Sequence, residues 1–326
     1  MDFDLSEEQR LLKESVDGLL TDSYDFDARK KYQKEKGGWS KAVWGKLAEQ
    51  GLLGLPFAEA DGGFGAGAVE TMIVMEALGK AMVLEPYLPT VVVAGGFLRH
   101  GASDAQKAAH IPGIIDGSKT FAFAQLEKNS RYDLSDVATT AKKKGEAYVI
   151  DGEKFVVLNG ENADTFIVTA RTKGGQRDKT GIGVFLVSAN AKGVTKKGYP
   201  TQDGLHAADV TFTGVEVGAD AAIGDPENAL SLIERVVDEA RTALCAEAVV
   251  RWMNRSRPPS NISRRENSSA CRSAASRPCS TVPPTCSSPS NRPAACRCLR
   301  PWRPISTTRR NARPRWRLRK CRSENR

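Results

Sequence analysis

The sequence predicts an α+β multidomain chain: an N-terminal α-helical domain over 1–118, a central antiparallel β-barrel or sandwich over 119–222, a long helix within 223–250, and a disordered basic tail over 251–326. Three observations predict it. Apolar residues recur at three- and four-residue spacing as far as Gly117, and the period falls to two at Thr120. Helical spacing returns at Pro226. Near residue 250 the composition breaks: from Arg251 onward there are 19 Arg and one Lys against two Glu, a net charge of +18, whereas the 250 residues before carry −9 within a whole-chain +9. The tail holds six of the seven Cys, ten of the 16 Pro and, as aliphatics, Ile262, Val282, Leu299, Ile305 and Leu318. So small an apolar stock does not offset the entropy of ordering a chain.

Each element has its own signal. Ser6-Glu-Glu-Gln9 is a capping box, followed by Leu11, Leu12, Val16, Leu19 and Leu20 at helical spacing. Ser40 opens a second helix carrying Val43, Trp44, Leu47 and Ala48, with Gly51 as its stop and Pro56 beyond. Gly62-Gly63-Phe64-Gly65 reads as a turn, Val69 to Ala81 as a third helix, and a fourth runs from near Pro89 to before Gly101. A second capping box, Ser103 to Gln106, opens a helix that Gly117 closes.

Eight short β-rich runs follow: 120–124, 137–141, 147–150, 155–158, 165–170, 183–187, 194–198 and 210–215. Asp151-Gly152, Asn159-Gly160 and Gly174-Gly175 punctuate them as hairpin-turn pairs. The last helix carries Ala229, Leu232, Ile233, Val236, Val237, Ala240, Leu244 and Ala248 in one stripe. No apolar run reaches bilayer length, and acidic residues occupy Met1 to Arg10, so the chain reads as soluble, unexported and cytoplasmic. One Cys in the first 250 residues fits a reducing compartment, and His100, His110 and His206 lack ligand spacing, which argues against a metal.

A helical domain, a small β domain and then a long helix, together with four local motifs, resemble the acyl-CoA dehydrogenase family. Leu55-Pro56 with Gly62-Gly63-Phe64-Gly65 resembles its "P…GGxG" loop, and Ser135-Asp136-Val137 its "GSDV" segment. Ile150-Asp151-Gly152-Glu153-Lys154 through Asn159-Gly160 resembles "xxGxKxxxxNG", and Arg241 with Ala246-Glu247-Ala248-Val249 the first helix of its C-terminal bundle. The wording is most similar to small subunits of two-subunit bacterial members such as pimeloyl-CoA dehydrogenase.

The resemblance implies FAD-dependent α,β-dehydrogenation of an acyl-CoA, with a dicarboxylyl thioester such as pimeloyl-CoA as one candidate, a homologous large subunit or further copies as partner and an unidentified electron acceptor. It also implies that flavin stacks on Phe123, Ala124 and Gln125 of one segment and on Val156 and Leu158 of another, the latter where Trp-Ile-Thr is usual. Ser135 is then near flavin and pantetheine, and Arg241 reaches the CoA moiety. From the residues alone, Ser135 caps a turn after Asp133-Leu134, and Arg241 pairs along its helix with Glu234 or Asp238. One family position for the catalytic Glu is Ala240 here. Glu239 stands next to it, about 100° around the helix, and is expected to point elsewhere. The chain by itself is therefore expected to be defective, leaving a non-catalytic scaffold subunit as an alternative.

A slipped reading frame accounts for the tail. If Val249-Val250-Arg251-Trp252-Met253 is encoded GTG GTG CGA TGG ATG, restoring one G gives V-G-A-M-D. In that frame Asn261 to Ser276 permits E-Y-L-K-T-R-E-Q-F-G-V-P-I-G-S-F, which resembles the family's bundle signature. The rival is nucleic-acid binding by the Arg-rich tail, but the tail matches no known module, so non-specific polyanion binding is the expectation.

Overall fold

The structure is a computed structural model that describes residues 4–256, with side chains described to residue 250. The expected disordered, out-of-frame tail falls, from residue 257 onward, outside the described residues. Helix α1 (Glu7–Ser23) starts at the predicted capping box, in which Ser6 Oγ accepts from Gln9 N and Gln9 Oε1 from Ser6 N. It buries Val16 and Leu20, while Leu11 is turned to solvent. Helix α2 (Phe26–Tyr32) has no apolar stripe for periodicity to detect and rests on the Asp25 cap. Helix α3 (Lys41–Glu49) buries Val43, Trp44 and Leu47 and ends at Gly51 in the left-handed region, φ 71°.

The Ser40 hydroxyl does not cap α3; its N–H is drawn instead to Glu85. After α4 (Ala68–Ala81), the single helix expected from Pro89 is a π-helical segment (Leu88–Ala94) running into α5 (Gly95–Gly101). Helix α6 (Asp104–Ile115) starts at the second capping box, and Gly117, φ 74°, closes it.

The seven strands among the described residues are β1 (Phe121–Ala124), β2 (Thr140–Lys144), β3 (Ala147–Leu158), β4 (Thr165–Arg171), β5 (Ile182–Ser188), β6 (Val194–Pro200) and β7 (His206–Gly218). Their order is β1-β4-β2-β3-β7-β6, with β5 on β4. The expected antiparallel sheet is in fact mixed. β1 runs parallel to β4, and β2 meets β4 in parallel at Thr140–Arg171. Asp164 sets the first pairing: its carboxylate accepts from Thr120 N and its own N–H donates to Thr120 O, so both strands leave one knot in the same direction. Side-chain alternation reads the same for either strand direction.

Two expected strands are one. Asp151-Gly152 is a β-bulge inside the twelve-residue β3, where the register to β7 shifts between Ile150 and Gly152. A Cβ at Gly152 would lie 2.7 Å from Thr139 Cα, so the glycine admits β2 at close range. The tight β2–β3 turn sits at Gly145, φ 62°. Helix α7 (Leu230–Ser256) begins after the expected start and passes residue 250.

Two apolar cores result. Helices and π-segment enclose one around Leu47, Phe57 and Phe97, to which α7 adds Ile233, Val236, Ala243 and Ala246. The sheet encloses the other around Phe166, Phe185 and Phe212. No helix among the described residues is long and apolar enough to cross a membrane, and no cluster of three metal-ligating side chains is found among them.

Candidate functional site

The end of β1 and the end of β3, thirty residues apart in sequence, run side by side. Phe155 N donates to Leu126 O at 2.8 Å and Lys154 Nζ to Gln125 O at 3.2 Å. Both segments predicted to face flavin thus share one edge. Lys154, fully buried, also donates to Glu127 Oε1 (2.8 Å) and Thr169 Oγ1 (3.0 Å). Glu127 in turn accepts from the N–H groups of Ala138 and Thr139.

Burial lowers the Lys154 pKa to about 8 against the pull of Glu127. Burial pushes the Glu127 carboxyl up, but the Lys154 ammonium and the Thr139 N–H outweigh it and hold the group below its ordinary value. An ion pair excluded from water is sustained only when its remaining hydrogen bonds are made, as they are here.

Side chains alternate along β1. Ala122 and Ala124 are fully buried in the sheet core, so a flavin contact at Ala124 would fall to its backbone, the strand period turning its side chain from those of Phe123 and Gln125. Phe123 is half-buried, with its ring centroid 4.8 Å from Phe97. Gln125 is half-buried too, and its Nε2 is buried without a partner among the described residues. On β3, Val156 (φ 49°) lies at a second register shift, and both Val156 and Leu158 are exposed. Leu158 lines a crevice of about 220 Å³ together with Tyr87, Leu88, Leu244 and Glu247.

The two residues expected to meet substrate have local partners. Ser135 donates to Asp133 Oδ1 at 2.7 Å in a turn. Its carbonyl, with those of Val137, Gln176, Asp178 and Thr180, accepts from Arg171, a guanidinium that organises the loop and that sequence reasoning missed. Arg241 is exposed and pairs with Asp238 at 2.8 Å. Ala240 packs on the helical core. Glu239 bonds Arg99 (2.9 Å) and His100 (2.7 Å). Burial pulls the His100 pKa down despite Glu239.

A second missed group is Glu85, 6% exposed in the wall of the crevice. Tyr24 Oη donates to its Oε2 at 2.8 Å and Ser40 N to its Oε1 at 3.2 Å. Burial raises its pKa to about 7. A carboxylate set in the apolar run Met82-Val83-Leu84-Glu85 was the available signal.

Comparison with known proteins gives the same architecture. The model for acyl-CoA dehydrogenase, N-terminal domain, matches residues 6–118, and that for acyl-CoA dehydrogenase, middle domain, matches 122–215, together more than half of the chain. The probable acyl-CoA dehydrogenase YngJ of Bacillus subtilis is 27% identical over 254 residues, covering 76% of this chain and 66% of its own length. The chain therefore spans just under two thirds of that relative.

Among solved structures, the ChsE4-ChsE5 complex from Mycobacterium tuberculosis superposes with a TM-score of 0.69 at 24% identity over 78% of this chain and 67% of that one. The FAD complex of PigA does so with 0.71 at 22%, covering 78% and 69%. The implied cofactor fits the residues present: Gln125 supplies a buried donor lacking a partner, beside an exposed apolar strip at Val156 and Leu158. With both domain models in chain order and this fold shared by the solved neighbours, the chain belongs to the acyl-CoA dehydrogenase family.

Proposed function

We propose that the chain is a subunit of an FAD-dependent acyl-CoA dehydrogenase, holding flavin on the β1–β3 edge and an acyl chain in the adjoining crevice. The observation that carries this is the buried, unpartnered Gln125 amide beside the crevice-lining strand of Leu158. When bound, the flavin supplies the acceptor for the hydride leaving the β-carbon.

The chain's own part is binding and exclusion of water. Gln125 Nε2 would donate to a bound flavin, Val156 and Leu158 would offer it an apolar surface, and Phe123 backs the edge through Phe97. Tyr87, Leu88 and Leu244 give the acyl chain an apolar wall. Arg241 exchanges Asp238 for a CoA phosphate at little cost, since an exposed pair is worth at most about 1 kcal/mol. Ser135 lies on the loop expected to meet pantetheine.

The α-proton requires a carboxylate that Ala240 does not provide and that Glu239, engaged by Arg99 and His100, is not free to provide. The base is accordingly assigned to a homologous larger subunit. An uncharged acyl group is favoured over a dicarboxylyl one such as pimeloyl, because the crevice's acidic lining residues are Glu85, Asp203 and Glu247 and no Lys or Arg stands among the described ones. The compositional break after Val250 supports a lost nucleotide, which codons around and beyond Val249 incompatible with the restored frame would refute.

The test is a flavin titration of the purified chain, alone and coexpressed with a larger subunit. Expected are quenching of flavin fluorescence, about tenfold weaker binding in Gln125→Ala, and turnover only in the complex. A complex without flavin absorbance would favour the scaffold reading, favoured here by Ala240. Turnover by the chain alone with an artificial electron acceptor would overturn the assignment of the base.

A further inference from the structure

We propose that Trp39 determines how long an acyl chain this subunit accepts, acting as the wall between the crevice and a second, larger cavity; this rests on reading the crevice as the acyl site. The indole borders both spaces: the crevice of about 220 Å³ that Leu158 lines, and a cavity of about 530 Å³ lined by Trp44, Gly45 and, at its polar rim, Lys36, Lys41, Glu161 and Asp164. Trp39 is 8% exposed and meets Trp44 edge-on, with ring centroids 5.9 Å apart. Its Nε1 is buried with no hydrogen-bond partner among the described residues, so packing holds the ring in place.

The backbone beneath the ring is tied down on both sides. Gly37 O accepts from Asn162 Nδ2 at 2.9 Å, and Ser40 N donates to Glu85 at 3.2 Å. Between them, Gly37 and Gly38 take φ of 98° and 78°, and a Cβ on Gly38 would fall 2.2 Å from the His206 ring. A rigid loop therefore presents a large, replaceable side chain at the junction of two cavities. Removing the indole joins them, and the methylenes that the wall stops then have space.

The experiment measures calorimetric binding of butyryl-, octanoyl- and hexadecanoyl-CoA to the full chain with FAD present. The parent protein is expected to bind octanoyl-CoA best. Trp39→Ala should strengthen hexadecanoyl-CoA binding about tenfold while leaving butyryl-CoA within about twofold, a modest demand given what single methylenes contribute in fitted pockets. Gly45 lines only the second cavity of the two, and a Cβ there meets nothing within 4 Å. Adding Gly45→Phe to Trp39→Ala should thus abolish the gain, whereas Gly45→Phe alone should alter none of the three affinities.

Trp39→Leu keeps apolar packing and should move the length profile the same way by less; circular dichroism reports whether each variant is folded. A folded Trp39 variant that binds butyryl-CoA with an unchanged length profile overturns the role of Trp39 and leaves the acyl site standing. Binding of none of the three thioesters by the parent protein overturns both.

Discussion

Glu85 is the residue whose charge the fold controls most directly. A free Glu titrates near about 4.3, and burial moves this one to about 7. The folded state then binds more protons than the unfolded state between those values. The contribution of Glu85 is accordingly full below the lower value and is lost as pH rises through the upper one. Urea unfolding should show stability falling between about pH 5 and pH 8, and Glu85→Gln should remove roughly 3 kcal/mol of that fall. An unchanged slope in the variant would show that Glu85 is not the group responsible. Lys154 makes the opposite case, a buried cation whose partner is indispensable. Lys154→Met strands Glu127 without its counter-ion and should cost about 3–5 kcal/mol by chemical denaturation, with Lys154→Met/Glu127→Leu recovering a large part. The lysine was visible in the sequence as part of a glycine-lysine-asparagine motif; its partner, 27 residues earlier, was not, since only strand packing brings the two together.

At the scale of elements, contact between α4 and α7 depends on one missing side chain. A Cβ on Gly79 would lie 2.6 Å from Glu247 O, a backbone atom that cannot give way without moving α7. Gly18 in α1 has nothing within 4 Å of the same position. The two glycines should therefore respond in opposite directions. Gly18→Ala is expected to stabilise by about 0.5–1 kcal/mol through helix propensity, whereas Gly79→Ala should lose about 1–3 kcal/mol to overpacking. Thermal unfolding of both variants checks the pair, and equal shifts would mean that α7 does not approach α4 as closely as described. Helix ends were well legible in the sequence: both capping boxes and the glycine stops at Gly51 and Gly117 occur where local hydrogen bonds and positive φ require them. The Asp151-Gly152 pair misled because a turn and a bulge use the same permissive backbone, and only the partner strand distinguishes them.

For the whole molecule, the sequence by itself determined the succession of a helical region, a β region and a returning helix, because apolar periodicity is a property of neighbouring residues. It also carried the motifs on which the family resemblance rested, and the break in composition near residue 250. What only the tertiary structure decided is which distant groups meet: the parallel start of β1 and β4 at Thr120 and Asp164, the shared edge of Gln125 and Leu158, the buried Lys154–Glu127 pair, and the two cavities on either side of Trp39. Those meetings depend on strand direction, on register and on the burial of polar groups that must find partners away from water, none of which is encoded in the spacing of residues along the chain.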